Sequence, residues 1–205
     1  NLDRSEIVIT VSRMTRQKGI PTLLAAAALV NKERPTVRFL LVGPRASEGS
    51  SAITQADLDR HVPYVISTGQ RSDIPALLRL SDVFAFPTEY REGVPRVLLE
   101  AALANLPIVT TTMPGCTDVV MDRWSGFLVP PRDPRALAER ILEMLRGREI
   151  ARAMAARAGQ LVRREFGLQL TADRYAEAYV AVINQALVYR SRNGERGISL
   201  QQVGP

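Results

Sequence analysis

Short apolar runs and longer amphipathic stretches alternate along most of the chain. β-Branched and apolar residues fill Glu6–Val11, Val37–Val42, Val62–Ser67, Asp82–Phe86, Pro107–Thr110 and Gly126–Val129. Each run is short and bounded by turn residues, which predicts a buried strand. The segments between them repeat their apolar positions at helical spacing. A helix is expected from Pro21 to about Lys32, with proline tolerated as a first helical residue. A second, capped by Ser72 or Asp73, should run through Leu80. A third opens at Pro95 and ends near Ala104–Asn105, where Asn105 can take the left-handed cap conformation. Residues 45–55 read as a mobile loop into a short helix, and Met113–Asp118 as a loop into another. Asp133–Pro134 caps a helix to Arg146, and two more helices span about 148–165 and 168–190. The glycine-rich, polar tail from Ser191 is expected to be disordered.

Strands that alternate with helices over short loops specify an α/β fold, a doubly wound, Rossmann-like parallel sheet. Such sheets bind ligands at the carboxyl ends of their strands. The polar clusters of this chain all follow strands: Arg13/Lys18, Gly43, Gln70/Arg71, Glu92/Gly93 and Gly115. The stretch Phe84–Leu103 is the richest. Its strand breaks at Pro87, and a polar loop then carries Glu89, Arg91 and Glu92. Gly93 lets the backbone approach a ligand or adopt positive φ. Beyond Pro95, the N–H groups of Arg96 and Val97 have no helical acceptor and lie beside an arginine side chain. That is an anion site of the kind that holds phosphate. Glu92 on the loop and Glu100 just over one turn into the helix can face one crevice. A carboxylate accepts two vicinal hydroxyls, which suits a ribose or a hexose. The competing reading of the same pattern is a strand–loop–helix unit with two solvated glutamates, and Arg13 and Lys18 as solvated loop charges. A dinucleotide fingerprint is missing, because Ser12–Gly19 after the first strand does not supply G-x-G-x-x-G.

Composition narrows the chemistry. The formal net charge is +6 over 205 residues, and Lys18 and Lys32 are the only lysines. The arginines are scattered along helix-like segments rather than bunched with aromatics, so no nucleic-acid surface is expected. An anionic ligand or an anionic membrane surface fits the charge better. The single cysteine, Cys116, excludes an internal disulfide, and no cysteine/histidine cluster predicts a metal. Neither a metal nor any other cofactor is expected. No apolar run reaches spanning length and no signal peptide opens the chain, which predicts a soluble, cytoplasmic protein. His61 reads as an unpartnered surface residue, Cys116 as a small packed one, and Trp124 as packing under the strand-six loop.

Five stretches carry a more specific signal: Val11-Ser-Arg-Met-Thr-Arg-Gln-Lys-Gly-Ile, Phe39-Leu-Leu-Val-Gly, Ser81-Asp-Val-Phe-Ala-Phe-Pro, Glu92-Gly-Val-Pro-Arg-Val-Leu-Leu-Glu-Ala and Ser125-Gly-Phe-Leu-Val-Pro-Pro. In this order and spacing, over about residues 6 to 165, the chain resembles the carboxyl-terminal, donor-binding half of a GT-B glycosyltransferase of family 4. Tyr90-Arg-Glu-Gly-Val-Pro-Arg and Pro114-Gly-Cys look most like members that build capsule, exopolysaccharide or O-antigen. The resemblance implies retaining transfer of a sugar from a nucleoside diphosphate, most simply UDP, without a bound metal. Arg13 and Lys18 would take up the charge of the departing diphosphate. Glu92 would lie beside the donor sugar, with the amides of Gly93 and Val94 nearby, and make the third catalytic residue. Glu100 would hold the ribose hydroxyls, and Gln70 and Arg71 would hold the base, largely through backbone. Gly43, Arg96 and Val97 complete the implied donor-binding set.

The chain departs from the family's pattern at Pro95, which removes an N–H from the sugar–phosphate loop, at Asp118 in place of glutamate, and at Asn105 in place of a helix-ending glycine. The implied organisation is a donor-binding domain over 1–167, a crossover helix over 168–190 and a flexible tail over 191–205. The family's amino-terminal acceptor domain has no counterpart here. Implied partners are a nucleotide sugar and, through that missing domain, a polyprenyl-linked or polysaccharide acceptor, at the inner face of the cytoplasmic membrane. Without it the chain is expected to transfer poorly alone and to self-associate through residues 168–190. Two alternatives remain open: a nucleotide-sugar-binding module without transfer activity, and a GT-B sugar-nucleotide epimerase.

Overall fold

In the computed structural model, which describes residues 5–45 and 51–192, six strands make one parallel sheet in the order β3-β2-β1-β4-β5-β6. They are β1 (Glu6–Val11), β2 (Val37–Val42), β3 (Val65–Gly69), β4 (Val83–Phe86), β5 (Ile108–Thr111) and β6 (Phe127–Val129). The helices are α1 (Ile20–Glu33), α2 (Gln55–Asp59), α3 (Ile74–Arg79), α4 (Arg96–Leu103), α5 (Pro134–Arg146), α6 (Arg148–Glu165) and α7 (Leu168–Arg192). The winding reverses between β1 and β4, which are neighbours through Val8↔Val83 and Ile9↔Phe84. In doubly wound sheets the carboxyl ends of the strands at such a reversal are where ligands bind.

The strands are nearly continuous apolar runs because helices cover both faces of the sheet. All four residues of β4 and of β5 are buried. α1 buries Leu23, Leu24, Ala26, Ala27 and Val30, and packs on α5, which buries Leu137, Ala138, Ile141, Leu142 and Leu145. At the amino end of the sheet an ionic cluster ties the two central strands together. The Arg148 guanidinium donates to Glu6 and Asp82, at 2.6 Å each, and the other Asp82 oxygen accepts the Ile7 N–H at 2.8 Å.

Most predicted elements are present, and the differences have local causes. β3 begins at Val65 rather than Val62, because Pro63 has no N–H and the Tyr64 and Val65 N–H groups fold back onto the His61 carbonyl. Pro95 is the residue before α4 rather than its first residue, with ψ 115°. Asp73 does precede α3, but its carboxylate goes to the Arg71 guanidinium (2.9 and 2.7 Å) and makes no capping bond. Residues 113–118 are a loop as expected, with Gly115 at φ 88°, but no helix follows it before β6. Asn105 takes φ 53°, and the Leu106 and Asn105 N–H groups close back on the Ala101 and Ala102 carbonyls. Trp124 is 43% exposed, with Arg157 stacked on its ring, so it is not covered packing.

Of the expected mobile loop, residues 46–50 lie outside the described residues, and Thr54 caps α2 through a reciprocal bond with Asp57. Ser191 and Arg192 are helical, and the rest of the expected tail lies outside the described residues. The described residues divide into two compact units at Glu165. The first holds the sheet. The second is built on α7, where Leu168, Tyr175, Tyr179, Val182 and Ile183 are exposed. No helix among the described residues is long and apolar enough to cross a membrane.

Candidate functional site

The loop after β1 is stitched to the loop after β4. A single 3-10 turn, Arg16–Lys18, ends at Gly19 with φ 70°. A side chain at Gly19 would strike the Pro87 carbonyl oxygen, 1.8 Å from its Cβ position, so only glycine allows this approach. The Glu89 N–H completes the seam by donating to the Gln17 carbonyl at 2.9 Å. This brings Lys18 Nζ to 2.6 Å from Glu92 Oε1, with the two side chains only 12% and 22% exposed. Lys18 also lies over the Phe86 ring at 5.7 Å. The Thr88 hydroxyl donates to the same Oε1 at 3.1 Å. Glu92 Oε2 receives no hydrogen bond among the described residues.

Beneath this pair lies a layer of buried hydroxyls. Thr10 donates to the Ala85 carbonyl (2.7 Å), Thr110 to that of Phe86 (2.7 Å) and Thr111 to that of Thr88 (2.8 Å). These bonds hold the carboxyl ends of β1, β4 and β5 in step, and each satisfies a buried polar group. Glu89 is the lateral tie: it accepts from Thr22 of α1 and from Arg132 before α5, both at 2.8 Å. From the far side, Gly115 presses against the Glu92–Gly93 backbone. A Cβ there would lie 2.1 Å from the Gly93 carbonyl oxygen. Cys116 is fully buried, and burial pushes its thiol pKa up, so it stays a protonated packing residue.

Of the residues expected from sequence, Lys18 and Glu92 meet directly. Arg13 follows β1, exposed and without an ion pair or hydrogen bond from its side chain among the described residues. Arg96 and Glu100 are exposed on α4, and the Arg96 and Val97 N–H groups keep no helical acceptor, since Leu98 is the first to bond back, to Pro95 (3.0 Å). Val94 is exposed. Gly93 does not take positive φ, but nothing lies within 4 Å of where its Cβ would be, which leaves open space beside Glu92. Gly43 has a packing reason of its own: at φ 142° its Cβ would sit 1.9 Å from the Ser12 carbonyl oxygen. Gln70 and Arg71 follow β3, two strands from β1, and Arg71 is taken up by Asp73, whose carboxyl it holds below the usual range. His61 precedes β3 and does have a partner, the Tyr64 hydroxyl at 2.9 Å.

Sequence reasoning missed Thr88, Thr22 and Arg132. The available signal was the run of threonines ending otherwise apolar strands. The loops and the helix that follow β1 and β4 carry the Lys18–Glu92 pair, the exposed Arg13, two helix N–H groups without a helical acceptor and the exposed Glu100. Those groups suit a diphosphate and a hydroxylated ring. No group of three or more His, Cys, Asp or Glu among the described residues is placed to hold a metal ion.

Comparison with known proteins places the chain in a family. An N-acetylgalactosaminyltransferase of Campylobacter jejuni, which acts on N,N'-diacetylbacillosaminyl-diphospho-undecaprenol, is 28% identical over 183 residues, 89% of this chain and 46% of that protein. The capsular polysaccharide glycosyltransferase CapM of Staphylococcus aureus is 24% identical over 185 residues, 90% of this chain and 48% of CapM. The chain thus spans about half the length of these curated relatives. Among solved structures, Anabaena HepE in complex with UDP-glucose superposes with a TM-score of 0.77 at 25% identity, over 88% of this chain and 50% of HepE. The fold is one half of a GT-B glycosyltransferase. The family model described as glycosyl transferases group 1 matches residues 5–147, and the chain belongs to that family.

Proposed function

We propose that this chain is the donor half of a retaining family 4 glycosyltransferase, binding a UDP-sugar for transfer to a lipid-linked or growing polysaccharide acceptor inside the cell. The observation that carries the reading is the Lys18–Glu92 pair at the β1/β4 crevice, with Glu92 Oε2 left free. An incoming diphosphate competes with Glu92 for Lys18 and recruits Arg13 and the N–H groups of Arg96 and Val97. As the bond to the sugar breaks, charge develops on the departing diphosphate, and these fixed donors stabilise it. Glu92, released toward the open space at Gly93, meets the sugar hydroxyls, and Glu100 meets the ribose. HepE's complex with UDP-glucose supports the choice of nucleotide. Acceptor positioning falls to residues outside this chain.

UDP should bind this chain weakly, equally with and without magnesium, in calorimetry with a chelator as control. Glu100→Gln should weaken UDP by about 1–3 kcal/mol. A 2′-deoxy analogue should lose little more in that variant. If the two losses simply add, Glu100 does not touch the ribose. Saturating binding with intact affinity for UDP but none for any UDP-sugar would favour a nucleotide-binding module instead.

The exposed apolar side chains of α7 suggest a further association. Light scattering should show a mass that rises with concentration, and Tyr179→Asp should remove the rise. A monomer at all concentrations would sink the idea.

A further inference from the structure

Residues 87–95, which carry Glu92, contain neither helix nor strand, so no backbone ladder fixes the Glu92 carboxylate. Among the described residues two side chains hold it, and both reach the same oxygen. Lys18 Nζ lies 2.6 Å from Oε1, and the Thr88 hydroxyl 3.1 Å from it. The two ties differ in kind. Lys18 is a long, flexible cation that any incoming anion attracts. Thr88 is uncharged, fully buried and β-branched, hence stiff at χ1. Its carbonyl takes the Thr111 hydroxyl of β5 at 2.8 Å, which anchors the residue to the sheet.

A hydroxyl has one proton to give. The Gln17 carbonyl, 3.5 Å away, already takes the Glu89 N–H at 2.9 Å. Glu92 Oε1 is nearer and charged, so the Thr88 proton goes there. The Thr88 oxygen in turn accepts the Tyr90 N–H at 3.4 Å. A diphosphate that draws Lys18 away leaves this buried, neutral donor in place. The carboxylate then regains the charge density that the ammonium had held, and its bond from Thr88 strengthens.

We propose that Thr88 is a positioning residue for the donor sugar. Its hydroxyl keeps Glu92 Oε1 fixed after the diphosphate has taken Lys18, and so turns Oε2 toward the sugar hydroxyls. This role rests on the donor-site reading of the Lys18–Glu92 pair. Without the hydroxyl, Glu92 keeps its charge but rotates freely, and each contact to the sugar must first order the carboxylate.

Calorimetry tests this with UDP and with UDP-glucose, UDP-galactose and their N-acetylamino counterparts, the tightest-binding sugar nucleotide serving as the probe. Thr88→Val should lower the ratio of probe affinity to UDP affinity roughly tenfold, with UDP itself changed by no more than about twofold. Thr88→Ser, which keeps the hydroxyl, should hold the parent ratio. In a Glu92→Ala background, Thr88→Val should leave the ratio unaltered. Should Thr88→Val fail to fold, Thr88→Ala takes its place, with Thr88→Ser as the control for the lost methyl group. Equal losses for UDP and the probe overturn the proposal, since Thr88 would then only hold the loop. So does an unchanged ratio, a loss that Thr88→Ser shares, or one that persists without Glu92. A parent chain that binds no sugar nucleotide gives a different result, removing the donor-site reading and the role of Thr88 together.

Discussion

Gly115→Val should lower the stability of the protein by about 3 kcal/mol, adding left-handed backbone strain to a forced contact. The residue sits at φ 88°, and its Cβ position is 2.1 Å from the Gly93 carbonyl oxygen and 2.9 Å from that of Glu92. Both obstacles are backbone, so no rotamer change relieves them. The loop that carries Glu92 must move, and nucleotide affinity should fall with stability. A urea midpoint indistinguishable from the parent would show that the two loops are not in contact in solution.

Lys18→Met keeps the aliphatic stem over Phe86 and removes only the charge. UDP affinity should drop by about 3 kcal/mol, or roughly 100-fold, because the diphosphate loses a cation and meets an uncompensated Glu92. Adding Glu92→Gln removes that repulsion and should recover part of the loss, giving a non-additive cycle. Calorimetry on the four proteins measures it. Additive losses would mean that Glu92 and the diphosphate do not share Lys18.

The sequence made the sheet legible because buried parallel strands must be apolar on both faces, and few other structures demand such runs. It also singled out Lys18 and Glu92, which each follow a strand and which the fold brings together. What escaped notice depended on contacts across the chain. Nothing near Glu89 in sequence announces Thr22 or Arg132, which meet it only once α1 and the loop before α5 are docked. β3 starts later than its apolar run because Pro63 has no N–H to give a strand ladder. Of the two conformations open to Gly93, positive φ is not the one it takes, and Gly115 takes it instead. Both are glycines in loops, and only the fold shows which one bends and which one leaves room.

The contact between Gly115 and the Glu92–Gly93 segment is made by the backbone, and it is indifferent to the side chains around it. Tyr90, Arg91 and Val94 are exposed beside that contact. They can be exchanged without shifting the carboxylate that Lys18 and Thr88 hold. Position and preference are thus carried by separate parts of one loop. Under the proposed donor-site reading, a descendant of this chain could change which ring it accepts by surface substitution, while Lys18 and Glu92 stay where they are.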